Sequence, residues 1–441
     1  MNTQPYKGSR DFYPEDKRLQ KWLFAKWAEV CERFGYEQYD APLLEETALF
    51  QMKGSDEIIN EQTYTFTDRG DRSVTIRTEM TPSVSRMVAA RRQELAYPVR
   101  WYSIPELWRY ERPQRGRSRQ FWQLNVDIFG VDGIAAEHEI ITLADGIMQA
   151  VGAKRSMYQI KLNSRVLMDY ILTSYIGLDE VEASTIRRLI DRMHKMDQAA
   201  FLASVEASIN PTAREAGAAN KLIALLQAEG LEALPEEIRN HDSMQRISAL
   251  ADMLQQNGIT NAVFDITLMR GFDYYTDIVF EVFDTHPENN RSMFGGGRYD
   301  GLVGLFGVDP VPTVGFGMGD ITFTNFLEVH GLIPTLQPET ELYAILVGDV
   351  YAQAQEFLAE LRREGVNLAV DVSGRKLDKQ IRTAEKKGLT YVVFVGGDEL
   401  TSKEFRLKNI KTGDETTVSV ARLVTKVKDA RTKTTPLLED K

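Results

Sequence analysis

The chain has 441 residues, of which 43% are hydrophobic and 27% charged, and its formal net charge is -11. This length predicts two or three domains, and the acidic balance argues against a surface coated in basic residues for non-specific nucleic-acid binding. No apolar run approaches the roughly 18 residues that a membrane span needs, the N-terminus lacks a secretory pattern, and the single cysteine excludes an internal disulfide. We therefore expect a cytoplasmic, multi-domain protein with no membrane partner.

The first predicted element is an amphipathic helix over residues 15–35. Its apolar residues fall on one face, with Trp27 beside them: Leu19, Leu23, Val30 and Phe34. Because this spacing makes one stripe along a helix, we expect the helix to pack on a sheet. In the extended segment that follows, Pro42 fits a sheet edge or an interface but not a central strand.

Short strand-like runs dominate residues 60–130, namely TYTFTD, SVTIRTE, VRWYSIPELWRYE and SRQFWQLNVDIFGV. Their close spacing, without intervening helices, predicts an antiparallel sheet. A helix follows at 137–151, and residues 168–258 are then almost wholly helical in pattern. We interpret 168–258 as a helical insertion.

Strand patterns resume at AVFDITL, DIVFEVF and TVGFGMG and should complete the earlier sheet. The core is therefore expected to be split into residues 1–167 and 259–330. After a proline-containing linker, residues 336–441 alternate strand and helix, which predicts a separate small α/β domain. The fold class is thus α+β, and the last residues, ARTKTTPLLEDK, are expected to form a frayed tail.

Two stretches concentrate positive charge. Arginines occupy positions 109, 112, 115, 117 and 119, and the segment GRKLDKQIRTAEKKG spans 374–388. Phosphate contacts depend on such local patches rather than on net charge, so either stretch fits an RNA site. A solvated helix face explains the second stretch equally well.

The most distinctive polar group lies in two strand-like runs joined by the turn PQRGRS: Arg109, Glu111, Arg119, Gln123 and Asp127. Alternation along a strand places the first two on one face and the last three on one face. If the strands pair as a hairpin, arginines and acceptors share a surface, which suits a charged ligand. Cross-strand salt bridges are the structural alternative.

Three further segments carry chemistry less clearly. The adjacent tyrosines of RGFDYYTDIVFE, 270–281, are common strand residues, so packing explains them when taken singly. The segment FGGGRYDG, 294–301, lacks the GK[ST] ending of a phosphate-binding loop, and a glycine turn is its simplest interpretation. RTEMTP, 77–82, is unremarkable alone.

Metal-dependent and covalent chemistry have no candidates in the sequence. The five histidines are scattered, at 138, 194, 241, 286 and 330, and no Cys/His spacing matches a metal site, so no protein-ligated metal is expected. No G-x-S-x-G elbow or supported Cys/His pair is present. Cys31 is expected to pack in the core.

Taken in order, the motifs KGSRDFYP, RTEMTP, RYERPQRGRSRQFWQ, RGFDYYT, GGGRYDG and DVSGRKLDKQ resemble those of the histidyl-tRNA synthetase family. The resemblance covers nearly the whole chain. RYERPQRGRSRQFWQ is similar to motif 2 of class II aminoacyl-tRNA synthetases, and RGFDYYT resembles the histidine-specific motif of this one family.

The resemblance implies an antiparallel sheet flanked by helices, a helical insertion, and a C-terminal anticodon-binding domain at 336–441. It further implies a homodimer formed through the region around Pro42. The implied partners are ATP with Mg²⁺, L-histidine and the tRNA for histidine. The implied activity is adenylation of histidine followed by its transfer to that tRNA.

The resemblance also implies roles for individual residues. For ATP, Arg109 would hold the α-phosphate, Glu111 the adenine amino group and Arg119 the γ-phosphate, while Phe121 would stack on adenine. Arg270 would lie between the histidine carboxylate and the α-phosphate. The histidine site would be formed by these residues: Glu79, Thr81 and Gln123 at the α-amino group, Asp127 and Tyr275 at the imidazole, and Tyr274 and Tyr299 in the wall. Gln114 and Arg115 would meet the tRNA acceptor end.

One position departs from the family pattern. Motif 3 of the class ends in an arginine that contacts ATP, whereas GFGMGDITF has Thr322 there, with no other arginine nearby in the sequence. Three consequences are open: the remaining arginines, 109, 119 and 270, bind ATP together with magnesium, or the affinity for ATP is reduced, or activity has been lost. We favour the first, because all three of these arginines are present.

Two other functions compete with this interpretation. A non-catalytic relative, similar to the regulatory subunit of ATP phosphoribosyltransferase, would share the core but typically lacks the C-terminal domain that is present here. A plain RNA-binding module would not explain the predicted pocket residues.

Overall fold

The computed structural model describes residues 3–52, 61–193, 196–228, 230–269 and 274–434. The chain divides into two compact units. One consists of Met1–Asp11 and Trp22–Ile333, and the other of Phe12–Lys21 and Pro334–Lys441.

A sheet of nine described strands forms the centre of the first unit. Eight of them run in the order β1-β5-β7-β12-β11-β10-β8-β9, and β6 also pairs with β7. The strands are β1 (Glu37–Gln38), β5 (Val99–Ser103), β6 (Glu106–Trp108), β7 (Gln120–Phe129), β8 (Tyr158–Ser164), β9 (Ala262–Phe264), β10 (Ile278–Asp284), β11 (Ser292–Arg298) and β12 (Thr313–Gly319). Thus FGGGRYDG begins in a strand and is not simply a glycine turn, because Gly295, Gly296 and Gly297 lie within β11.

The sheet is antiparallel except at its two ends. β1 pairs with β5 in parallel, and so does β8 with β9. Parallel neighbours need a long crossover connection, and the β8–β9 crossover is the helical segment predicted as an insertion. The antiparallel expectation is therefore confirmed for the inner strands and corrected at both edges.

The interpretation of residues 60–130 as strands alone was wrong at one place. The helix Thr81–Ala90 lies between β4 (Ser73–Ile76) and β5. Pro82 occupies the first turn of this helix, where a missing N–H costs nothing. β4 also belongs to a separate three-stranded sheet with β2 (Leu44–Glu46) and β3 (Tyr64–Thr67).

The predicted first helix is Pro14–Arg33, and its apolar stripe enters the core as expected. Leu23, Trp27, Val30 and Cys31 are buried in the same cluster as Val126 and Ile128 of β7, and Phe34 packs against it. Leu19, the first residue of the predicted stripe, is half-buried and lies outside this cluster. Burial raises the pKa of the Cys31 thiol, which makes it a core residue rather than a nucleophile. Within the described residues, the other α-helices of the first unit outside the crossover are Thr47–Gln51, Thr81–Ala90, Ala135–Ala150 and Asp320–Val329.

The crossover itself is helical throughout its described regular elements. The helices are Arg165–Tyr170, Ile171–Tyr175, Glu180–Arg192, Gln198–Ser208, Pro211–Glu215, Ala218–Leu226, Glu236–Arg239 and Asp242–Gln256. Asp179, Asp197 and Asn210 each cap the following helix by accepting a hydrogen bond from a backbone N–H, so the helix starts are encoded locally.

The second unit contains a five-stranded sheet in the order β14-β13-β15-β16-β17. Its strands are β13 (Leu342–Leu346), β14 (Leu368–Asp371), β15 (Tyr391–Val395), β16 (Glu404–Asn409) and β17 (Glu415–Ser419). Its helices are Gln355–Arg363, Leu377–Lys386, Gly397–Ser402 and Val420–Thr434. The last helix corrects the predicted tail as far as Thr434, and residues 435–441 lie outside the described residues.

Candidate active site

A polar cavity of about 330 Å³ opens on one face of the central sheet. Its walls come from β7, β10, β11, β12, the loop between β6 and β7, and the starts of two helices. The polar and aromatic side chains that line it are Glu79, Thr81, Arg109, Glu111, Arg117, Ser118, Phe121, Gln123, Asn125, Asp127, Tyr274, Tyr275, Phe280, Glu281, Phe316, Tyr299 and Thr322.

Strand β7 delivers one row of these side chains. Phe121, Gln123, Asn125 and Asp127 all line the cavity, as expected for alternate residues of one strand. The neighbouring strand β12 places glycines opposite them, with Gly315 paired to Asp127. A Cβ at Gly315 would lie 2.0 Å from Asp127 Oδ1, and one at Gly317 would lie 1.6 Å from Gln123 Nε2. These glycines therefore provide the room in which the polar side chains lie.

Asp127 is an ionisable group held almost out of water. Asp127 is only 2% exposed, and its Oδ1 accepts a hydrogen bond of 2.5 Å from the Tyr299 hydroxyl. Burial raises the Asp127 pKa to about 7, although the Tyr299 hydrogen bond opposes the shift. Oδ2 is buried and has no hydrogen-bond partner within the described part of the chain, so it is ready to pair with a polar ligand atom.

Glu79 is the second buried carboxyl of the cavity. Burial raises its pKa to about 7, opposed by the charge of Arg109 and by a hydrogen bond from Tyr274. The Tyr274 hydroxyl lies 3.2 Å from Glu79 Oε2 and 3.4 Å from Thr81 Oγ1. The backbone turn before the helix Thr81–Ala90 thus brings an acid and a hydroxyl to one wall.

Three tyrosines form the wall beside Asp127 and Glu79. The Tyr274 ring centroid lies 5.0 Å from that of Tyr275 and 5.6 Å from that of Tyr299, with edge contacts in both pairs. Such contacts favour rigid rings. Burial and the nearby carboxylates raise the pKa of each phenol, so all three remain hydroxyl donors.

The arginines of the β6–β7 loop take different positions. Arg109 donates through Nε to the Thr78 carbonyl oxygen at 3.0 Å, and its guanidinium lies 5.4 Å from the Phe121 ring centroid. Arg117 Nη1 lies 3.1 Å from Glu111 Oε2. Both arginines line the cavity, so the loop presents two cations beside one carboxylate.

The structure places Arg119 differently from the hairpin interpretation. It lies outside the cavity lining, with its guanidinium 3.8 Å from the Tyr110 ring centroid and Nη1 donating to the Tyr6 hydroxyl at 3.0 Å. The paired strands end at Trp108 and begin again at Gln120. Residues 109–119 therefore form a loop, and alternation does not extend to Arg119.

Two other predicted residues, Gln114 and Arg115, lie outside the cavity lining, and a third is not described. Gln114 and Arg115 are exposed at the turn of the β6–β7 loop. Arg270 lies outside the described residues, as do the other residues of 270–273. No group of three His, Cys, Asp or Glu side chains able to hold a metal ion occurs in the ranges that the structure describes. None of the helices in those ranges has the length and apolar character that crossing a bilayer requires.

Sequence reasoning missed six of these polar and aromatic lining residues, namely Arg117, Ser118, Asn125, Phe280, Glu281 and Phe316. Asn125 stands between Gln123 and Asp127 in alternation, so the strand pattern itself would have found it. Glu281 closes the quoted segment RGFDYYTDIVFE, and Arg117 lies in the quoted turn PQRGRS. For the last two, only the course of the loops and strands decides which side chain meets the cavity.

A largely antiparallel sheet that carries such a cavity on one face, beside an arginine-rich loop, defines the catalytic core of a class II aminoacyl-tRNA synthetase. The family described as histidyl-tRNA synthetase matches residues 8–319, and the one described as anticodon-binding domain matches 341–430. The chain therefore belongs to the histidyl-tRNA synthetase family.

Individual relatives agree over their full length. The histidine–tRNA ligase of Leptospira biflexa is 39% identical over 437 residues, which cover 98% of this chain and 99% of the relative. That of Thermoplasma volcanium is 36% identical, with 96% and 98% covered. The crystal structure of histidyl-tRNA synthetase from Nostoc sp. PCC 7120 has the same fold, with a TM-score of 0.81 at 22% identity over 98% of this chain and 100% of that one.

Proposed function

We propose that this chain activates L-histidine with ATP and transfers it to the 3′ end of the tRNA for histidine. The observation that carries the proposal is the shared cavity, in which buried Glu79 and Asp127 face the arginines of the β6–β7 loop. Buried carboxyl groups suit an amino acid with a polar ring, and arginines suit a nucleoside triphosphate. A reaction between these two ligands needs both kinds of side chain in one cavity.

Histidine is bound in the enclosed part of the cavity. Glu79, Thr81 and Gln123 bind the α-amino group. Asp127 Oδ2, which has no hydrogen-bond partner in the described part of the chain, accepts from the imidazole N–H. Tyr275 donates to the other ring nitrogen, since a neutral imidazole has one donor and one acceptor. Tyr274 and Tyr299 complete the wall. An amino acid without a ring N–H would leave Asp127 unpaired, which costs about 1–3 kcal/mol.

ATP is bound along the β6–β7 loop. Arg109 holds the α-phosphate, Glu111 accepts from the adenine amino group, and adenine stacks on Phe121. For the outer phosphates we propose Arg117 in place of Arg119, because Arg117 lines the cavity while Arg119 is stacked on Tyr110. Arginine suits this task because its planar fork binds phosphate oxygens bidentately and stays charged.

The adenylation step needs the two substrates to be positioned but needs no general base, because the histidine carboxylate is already ionised. A carboxylate oxygen of histidine attacks the α-phosphorus, the bond to the bridging oxygen breaks, and pyrophosphate leaves with the electron pair. In the second step a terminal ribose hydroxyl of the tRNA attacks the histidyl carbonyl, and AMP leaves. The guanidinium of Arg109 stabilises the charge that builds on the α-phosphate, with Arg270 assigned between that phosphate and the histidine carboxylate.

The remaining parts of the proposal concern partners and domains. Mg²⁺ enters with ATP, whose phosphate oxygens are the ligands that it prefers. Exposed Gln114 and Arg115 meet the acceptor end of the tRNA. Residues 1–167 with 259–330 form the catalytic core, 168–258 the insertion, and 336–441 the anticodon-binding domain, in a cytoplasmic homodimer.

Histidine-dependent exchange of labelled pyrophosphate into ATP tests this proposal. The purified protein should exchange label with histidine and not with phenylalanine or glutamine, and histidine should raise its melting temperature. Absence of exchange, together with loss of any thermal response to histidine, would exclude the synthetase and the pocket alike. Absence of exchange with the thermal response retained would favour the non-catalytic relative of the ATP phosphoribosyltransferase subunit.

A further inference from the structure

Arg291 lies directly before β11, beside the mouth of the cavity. Its Nη1 donates to the Arg115 carbonyl oxygen at 2.9 Å. A Cβ at Gly116, whose φ is +81°, would lie only 2.7 Å from the same Nη1. The guanidinium is therefore packed against the β6–β7 loop at Gly116, where a side chain would overlap it.

The helix Asp320–Val329 reaches the same place from the other side. The point where a Gly116 Cβ would lie is 3.6 Å from Thr322 Cγ2 and 3.7 Å from Asn325 Nδ2. The Thr322 hydroxyl turns away and donates to the Met293 carbonyl oxygen at 2.9 Å. Position 322, where the family has an ATP-binding arginine, thus presents a methyl group towards Gly116, and the guanidinium of Arg291 lies against the same glycine.

The charge balance of the cavity calls for another cation. Among the described lining residues, Arg109 and Arg117 face four carboxyl groups, those of Glu79, Glu111, Asp127 and Glu281. A triphosphate adds further negative charge. In the described part of the chain, no carboxylate oxygen comes within 4.0 Å of the Arg291 guanidinium, so its charge is available to an anionic ligand.

We propose that Arg291 supplies the ATP-binding charge that an arginine at position 322 provides elsewhere in the family. The inference rests on the proposed synthetase function and assigns Arg291 to the outer phosphates of ATP, between Gly116 and Thr322. Arg291 is not itself in the cavity lining, but its guanidinium lies against Gly116, which is, so from the start of β11 it can turn towards a bound triphosphate. This corrects the expectation that no arginine is near Thr322, which considered only sequence neighbours.

Three variants of the full-length protein separate a charge contact from loop bracing: Arg291→Ala, Arg291→Gln and Arg291→Ala with Thr322→Arg. Arg291→Ala should raise the KM for ATP in pyrophosphate exchange about 10- to 100-fold, as for a lost hydrogen-bonded charge, with the KM for histidine unchanged. Arg291→Gln keeps a donor for the Arg115 carbonyl but loses the charge, so it should be as impaired as Arg291→Ala. Thr322→Arg in the alanine background should restore ATP affinity at least in part.

Arg188→Ala, which removes an exposed arginine of the helical crossover, serves as the matched control and should leave both KM values unchanged. A histidine-induced rise in melting temperature shows that each variant is folded. If wild type exchanges pyrophosphate and Arg291→Ala keeps its KM for ATP, the inference is wrong while the proposed function stands. It is equally wrong if Arg291→Gln behaves as wild type, because the arginine would then only brace the loop. If wild type itself shows no exchange, the proposed function fails first.

Discussion

The two oxygens of Asp127 have different environments in the ligand-free cavity. Oδ1 accepts from the Tyr299 hydroxyl, whereas Oδ2 is buried without a partner among the described residues. Burial alone would keep such a carboxyl protonated far above its ordinary range, and the pKa of about 7 reflects burial opposed by that single hydrogen bond. One carboxylate oxygen is thus paired, and the other is available for the imidazole N–H that we propose it accepts.

This arrangement predicts a pH-dependent affinity for histidine. Asp127 and Glu79 both have a pKa of about 7, and each must be ionised to accept from the ligand. Histidine binding, measured by titration calorimetry, should therefore tighten at least 10-fold between about pH 6 and pH 8, as the carboxyls lose their protons and the free imidazole becomes neutral near its ordinary pKa of about 6.5. The variant Asp127→Asn should bind weakly with a flatter pH profile, and an affinity of wild type that is constant over this range would contradict the assignment.

The same two groups lower the stability of the ligand-free protein as pH rises. The unfolded chain releases these protons near pH 4, whereas the folded chain keeps them until about pH 7. Because the folded state binds more protons between these values, unfolding becomes easier with rising pH across that window. Bound histidine offsets this loss, so the pocket gains most from its ligand when both carboxyls are ionised.

At the scale of elements, β7 was predicted well and the segment before it was not. Alternation from Phe121 to Asp127 follows from strand geometry and needs no tertiary information. The same rule, extended back to Arg119, predicted a common face with Gln123 and Asp127, whereas the Arg119 guanidinium lies against Tyr110 and Tyr6 and outside the cavity lining. The helix Thr81–Ala90 was missed since TPSVSRMVAA is short and mixed in pattern, and its first-turn proline was the local evidence for a helix start.

Strand β12 shows why the glycines of TVGFGMG are placed as they are. Gly315 faces Asp127 and Gly317 approaches Gln123 so closely that any side chain would overlap them. Neither residue was predicted as a site residue, because glycine carries no chemistry of its own. Their contribution is empty volume, which appears only when two strands are paired in register.

Gly315→Ala should therefore weaken histidine binding without removing any ligand contact. The added methyl group would lie 2.0 Å from Asp127 Oδ1, and overpacking of this kind costs about 1–3 kcal/mol, equivalent to about 5- to 150-fold in affinity. The KM for histidine in pyrophosphate exchange measures this effect. Gly133→Ala is the control, since no atom lies within 4 Å of a Cβ at that position. An equal KM for histidine in the two variants would show that Gly315 is not needed to leave space for the Asp127 side chain.

At the scale of the whole molecule, strands from before and after the helical segment share one sheet, as the resumed strand patterns predicted, but the sequence did not predict how they connect. The helical segment was expected as an addition to the core, whereas it also carries the chain from β8 to its parallel neighbour β9. Pattern reasoning finds helices and strands one by one, but the pairing of β8 with β9 depends on contacts such as that of Ile160 with Ala262, which are far apart in the sequence. The edge strand β1 is likewise defined by its pairing with β5, because its two residues are too few to show an alternating pattern.

The proposed homodimer can be tested at the region around Pro42. Pro42 is exposed there, and Leu43 and Leu44 are 42% and 46% exposed, which is a surface that a second copy would cover. Light scattering should give twice the mass of the chain. Leu43→Asp should shift the mass towards the monomer, because an unpaired charge in an interface is costly. Val181→Asp, at an equally apolar but 76% exposed site, should remain dimeric; a monomeric wild type would end the dimer proposal.

The reactivity of the single cysteine reports on local opening of the catalytic core. Cys31 is wholly enclosed between the first helix and the central sheet, and its thiol is far from ionising. A thiol reagent can reach it only when that helix separates from the sheet. The rate at which such a reagent labels the native protein therefore measures how often the first helix separates from the sheet. No engineered probe is needed, because Cys31 is the single cysteine of the sequence.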